Sequence, residues 1–132
     1  MNFKDYYTAI GRLVYAIAKA DGSIQTEESA KIFHFVISQI VNLEKDSGGT
    51  GKNALEAFNT EREFHRLKKM NATVQEAYNG FVDFLDKNKQ HFDGKMKKTC
   101  LDIMEKVAMA YNGVEDPEKA IIDKVKEKIN SI

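Results

Sequence analysis

One spacing runs through this sequence. Apolar residues return every three or four positions from end to end, and no segment alternates convincingly every second position. Three-and-four spacing is the face of an α-helix, whereas two-residue alternation is the face of a strand. A chain with the first pattern and without the second is confined to packing helix on helix. Its single proline, Pro117, follows Asp116 where a helix is expected to begin, so it marks a start and not a break. The fold class expected is all-α, a compact bundle of about six helices.

Phe3, Tyr6, Tyr7, Ile10, Leu13, Val14 and Ile17 keep the period in the first segment, and Asp21-Gly22 stops it. Glycine is the residue that most easily takes the left-handed turn. Thr26 is the next expected N-cap, with Glu27 and Glu28 in a first turn where the helix dipole favours anions. The segment it opens carries Ile32, Phe33, Phe35, Val36, Ile37, Ile40 and Val41. That is apolar over most of its circumference, which predicts a helix at the centre of the bundle. Ser47-Gly48-Gly49-Thr50-Gly51 reads as an exposed loop.

A short helical piece with Leu55 and Phe58 leads to Thr60, which with Glu63 spells a capping box ahead of Phe64, Leu67 and Met70. Thr73 and Glu76 spell the same box ahead of Val74, Ala77, Tyr78, Phe81, Val82 and Leu85. Asp93-Gly94 is expected to end that helix. Met96, Cys100, Ile103, Met104, Val107 and Tyr111 line the next, and Ile121, Ile122, Val125 and Ile129 the last.

Length and composition narrow the function classes. The 132 residues are expected to form one domain, 1–132. With 42% apolar and 30% charged residues, the chain is too apolar to stay disordered. The 20 basic and 20 acidic residues cancel, so no global field draws it to nucleic acid or to anionic lipid. Cys100 alone excludes an internal disulfide and a cysteine zinc cluster, which suits a reducing compartment. No apolar run approaches the roughly 20 residues that span a bilayer. The start, MNFKDYYTAIGRL, lacks the apolar core of a signal peptide. The expected location is the cytoplasm.

The two ends of the chain resemble each other. Leu13 to Lys31 reads LVYAIAKADGSIQTEESAK, and Met104 to Ile121 reads MEKVAMAYNGVEDPEKAI. With one residue deleted after the glycine, Gly22 matches Gly113, Ile24 matches Val114, Glu28 matches Glu118 and Ala30 matches Ala120. Each copy is an apolar helix, an Asp/Asn-Gly turn, an aliphatic residue and an acidic helix start. Two pseudo-symmetric helical hairpins are a natural reading, although any glycine-terminated helix followed by an acid-capped one has this form. The pattern A-D-G-x-I-x-x-x-E, carried by Ala20, Asp21, Gly22, Ile24 and Glu28, resembles the hallmark of the tellurite-resistance TerB-like family. The second such turn of that family falls here at Asn112 to Glu118. The resemblance implies a bacterial, all-helical protein whose acidic turns are proposed to hold a metal ion. It carries Asp21 and Glu28 over as ligands of the first turn, with Asn112 and Glu118 as those of the second. Asn112 stands where the family has an acid, and the second loop is one residue shorter.

Chemically, Asp21 to Glu28 matches the second half of an EF-hand loop, with glycine for the sharp turn and Glu28 able to offer two oxygens. Ile17 and Lys19 stand where the first half would need carboxylates. One turn therefore supplies about half of the six to eight oxygens calcium takes, and a second turn would have to complete the shell. Three carboxylates suit a hard divalent cation, calcium or magnesium, and not a soft one. The same residues also fit a purely structural reading, a helix C-cap turn followed by acids paired with a helix dipole. Both readings stand on the sequence.

Asp46 to Asn53 approaches a phosphate-binding loop but places an acid at the first glycine and an amide where a hydroxyl should hold magnesium. It also follows a helix where that motif follows a strand. His34, His65 and His91 lie in different predicted helices without ligand spacing; His34 is expected at the rim of the core. Cys100 falls on an apolar stripe and reads as a buried thiol. No nucleophile-and-base pair is evident, so the expected function is binding and not catalysis. Lys87, Lys89, Lys95, Lys97 and Lys98 crowd one turn, a solvated tip or a contact for an acidic protein or a lipid headgroup. The expected partners are proteins. The expected role is a TerB-like accessory protein with a divalent cation, in a stress or tellurite-resistance setting. The alternative is a metal-free helical interaction module.

Overall fold

Six helices follow one another: α1 (Phe3–Ala20), α2 (Thr26–Asp46), α3 (Phe58–Lys69), α4 (Val74–Asn88), α5 (Gly94–Ala110) and α6 (Asp116–Asn130). The computed structural model describes residues 3–20, 26–46, 58–110 and 116–132, and at the first turns of α2 and α6 it describes the backbone alone. Among the described residues there is no strand. The fold is all-α.

α1 is the axis of the bundle. It packs on α3 and α4 along most of its length, and on α5 and α6 besides. From Ala9 to Ala18 every residue except Arg12 is buried. A helix can be enclosed on all sides only where small side chains let its neighbours approach, and Ala9, Gly11, Ala16 and Ala18 do so here. A Cβ on Gly11 would stand 2.6 Å from the Thr60 carbonyl oxygen, so α1 and α3 meet where only a hydrogen fits. The expected central helix, α2, instead lies at the side, against α5 and to a smaller extent α3. Its Ile32, Phe33, Val36 and Ile40 are buried, but Phe35, Ile37 and Val41 are only half-buried. Counting large apolar residues favoured α2, whereas the small residues of α1 decide the centre.

Paired contacts give the directions. Tyr7 meets Thr60, Arg12 meets Glu63 and Lys19 meets Asn71, so α3 runs with α1. Arg12 meets Gly80 and Tyr15 meets Ala72, so α4 runs against it. α5 starts beside the start of α1: the Tyr6 hydroxyl donates to the Met96 carbonyl at 3.1 Å, among the rings of Phe84 and Phe92. Further along α5, Lys106 lies 5.6 Å above the Phe35 ring of α2, while Lys97 donates to the Ile132 carbonyl beyond α6. α5 thus runs with α1, and α6 returns against α5. The second helix of each hairpin packs on the first helix of the other, α2 on α5 and α6 on α1.

The turn from α3 to α4 closes with two standard devices. Asn71 is left-handed (φ 51°), with Ala72 N–H donating to the Leu67 carbonyl at 3.0 Å and Asn71 N–H to that of Lys68 at 3.1 Å. This is a Schellman ending. Thr73 then caps α4, accepting from Glu76 N–H at 3.1 Å while the Glu76 carboxylate reaches back to Thr73 N–H. The box expected at Thr60 and Glu63 does not form. α3 already begins at Phe58, so both residues sit inside the helix and are buried. Met70, expected on its apolar stripe, lies in the turn and is 58% exposed. Asp93-Gly94 does not end α4, which stops at Asn88. It opens α5 instead, with Asp93 Oδ1 accepting from Met96 N–H at 2.9 Å. Asp followed by Gly serves a helix end or a helix start, and the spacing alone does not choose. The Ser47–Gly51 loop, Leu55 and Tyr111 fall outside the described residues, as does most of the loop resembling a phosphate-binding motif.

Candidate functional site

Asp21 and Asn112 lie outside the described residues; Glu28 and Glu118 stand in the first turns of α2 and α6, described in backbone only. The structure neither brings these four side chains together nor separates them. The helices around them do supply direction. Because α1 and α5 run the same way, the ends of both, and the starts of α2 and α6, share one end of the bundle. The four residues offer oxygen donors alone, three carboxylates and an amide, and by that chemistry they fit a hard cation. Among the described residues no group of three or more His, Cys, Asp or Glu gathers to hold a metal.

All three histidines are exposed, His34 included, which corrects its expected place at the core rim. His65 rests beside the rings of Phe33 and Phe64, and His91 sits in the turn after α4 and not in a helix. Cys100 is fully buried, and burial pushes its thiol far up, so it supplies no thiolate.

The best-formed polar site among the described residues is one that sequence reasoning missed. Glu63 is 6% exposed and accepts the Nε–H of Arg12 at 2.8 Å and that of Arg66. Burial alone pushes its carboxyl up, but the hydrogen bonds from Arg66 and Arg12 outweigh this and hold it below the ordinary value. Arg12 also donates through Nη1 to the Gly80 carbonyl at 3.2 Å. A Cβ on Gly80 would come within 2.9 Å of Arg12 Cδ, so glycine there makes room for the arginine. Both arginines line a cavity of about 500 Å³ between α1, α3 and α4. Two signals pointed here. Arg12 is a lone charge in the apolar run TAIGRLVYAIA, and buried charge demands a partner. The Thr60–Glu63 pair was the other, misread as a cap.

A family model described as Tellurite resistance protein TerB matches residues 8–130. The chain belongs to that family. The match runs from within α1 to the end of α6, a wider span than the two turns that carried the resemblance. No curated protein and no solved structure matches the chain. In this TerB-family chain no helix of the described residues is long and apolar enough to cross a membrane.

Proposed function

We propose that this TerB-family protein is a cytoplasmic accessory that works by binding and not by catalysis. Its ligand is a hard divalent cation, calcium or magnesium, held by oxygens of Asp21, Glu28, Asn112 and Glu118. Its setting is tellurite resistance or a related stress. The observation that supports this reading is the common direction of α1 and α5, since the two acidic turns then follow helices that finish at one end of the bundle. A single turn is short of oxygens, so a cation shell requires both. Calorimetric titration with calcium, magnesium, manganese and zinc tests the proposal. Saturable heat with calcium or magnesium, lost in Asp21→Asn combined with Glu28→Gln, is the expected result. An unchanged profile in that variant rejects it.

A second reading, an interaction module that needs no metal, draws on the exposed Lys87, Lys89, Lys95 and Lys98 around the α4–α5 turn. It predicts partner capture that survives a chelator and is lost when these lysines are reversed to glutamate.

A further inference from the structure

We propose that the groove between α1, α3 and α4 is a separate binding site for a small zwitterion of the amino-acid or dipeptide class. The carboxylate would sit on Arg12 and Arg66, and the ammonium beside Asp83 and Asp5. The site shares no residue with the cation site and goes beyond it.

The guanidinium groups are fixed before any ligand arrives. Each gives its Nε–H to the buried Glu63, and Arg12 is tied further to the Gly80 carbonyl, Arg66 to Met70 Sδ. A guanidinium carries five N–H donors, so these bonds occupy two on each arginine. The terminal nitrogens are the part that matches a planar carboxylate in a two-point fork. A cavity of about 500 Å³ beside them falls in the range of small-molecule sites.

Charge selects the ligand class. Arg12, Arg66 and Lys87 line the groove against Asp5, Glu76 and Asp83, with Glu63 behind the arginines. A dianion such as a phosphate monoester meets as much repulsion as attraction in such a lining, whereas a zwitterion finds a partner at each end. The register sorts the signs in part: Glu76, on the Arg66 side, is engaged by Thr73 in the cap of α4, and Lys87 lies one turn beyond Asp83. α4 runs against α1, so Asp83 lies one turn from the Gly80–Arg12 contact toward the start of α1, on the same side as Asp5. Arg66 lies one turn beyond Glu63 in the other direction. One helical turn is about 5 Å, which places the basic and acidic stretches within reach of the two ends of a dipeptide.

Amide NMR titration of the whole chain with glycylglycine, acetate, methylammonium and inorganic phosphate tests this. Glycylglycine is expected to shift the Ala77 and Gly80 signals at about tenfold lower concentration than acetate or methylammonium, with phosphate weakest. Arg66→Gln, which leaves Glu63 on Arg12, should weaken glycylglycine about tenfold. Asp83→Asn, at an exposed position, should weaken glycylglycine without weakening acetate, and it keeps the test open if Arg66→Gln fails to fold. Glycylglycine binding no tighter than acetate, phosphate binding tightest, or indifference to Asp83→Asn would each overturn the proposal. None of these results depends on whether the acidic turns hold a cation.

Discussion

Thr60-x-x-Glu63 and Thr73-x-x-Glu76 carry the same signature thirteen positions apart and do different work. At Thr73 the pair is exposed, the chain turns immediately before it, and two orphan N–H groups of α4 find partners in the side chains. At Thr60 the helix is already under way and α1 lies against it, so both side chains turn to that helix. The Thr60 hydroxyl donates to the Tyr7 carbonyl at 2.8 Å, and Glu63 turns to two arginines. A capping box is a solution to unpaired donors at a helix start. Where a neighbouring helix covers the pair, the same residue types serve as polar contacts instead.

The contrast yields graded expectations. The largest effect belongs to Arg12→Met combined with Arg66→Met, which leaves the 6%-exposed Glu63 charged and alone. Stranding a buried charge costs about 3–5 kcal/mol, and adding Glu63→Leu should restore much of it, both read from urea unfolding. Gly11→Ala comes next, at about 1–3 kcal/mol, because its methyl would press on the backbone of Thr60 and not on a flexible side chain. Thr73→Ala is the smallest, about 1 kcal/mol from a lost cap, measured in the same way.

Acid separates the two pairs as well. A carboxyl whose folded value is depressed stabilises the fold above its unfolded value and loses that contribution as pH falls through the folded one. For Glu63 the loss should begin near the ordinary glutamate value of about 4.3 and continue below it. Glu63→Gln should flatten that acid limb in pH-dependent unfolding curves, and Thr73→Ala should leave its shape unchanged.

Much of this architecture was legible from residue spacing. The apolar stripes of α1, α5 and α6 bury as their period requires, from Tyr6 to Ile17, Met96 to Val107 and Ile121 to Ile129. What spacing did not carry was which helix lies at the centre, because that depends on alanines and a glycine whose value is the approach they permit. Nor did it distinguish the two Thr-x-x-Glu pairs or the role of Asp93-Gly94, since each local pattern serves more than one helix-end geometry. Arg12, Glu63 and Arg66 assemble from α1 and α3, across about fifty positions of chain, and no local motif announces such a meeting. The acidic turns were legible as motifs, and the direction of their flanking helices is what the fold adds to them.

The claim that matters most is that the two turns act as one site. Amide NMR of the chain titrated with calcium and with magnesium reads it directly. Signals from residues 21–28 and 112–118 should move together with a single midpoint for the binding ion. Movement in one segment alone, or in neither, would contradict it.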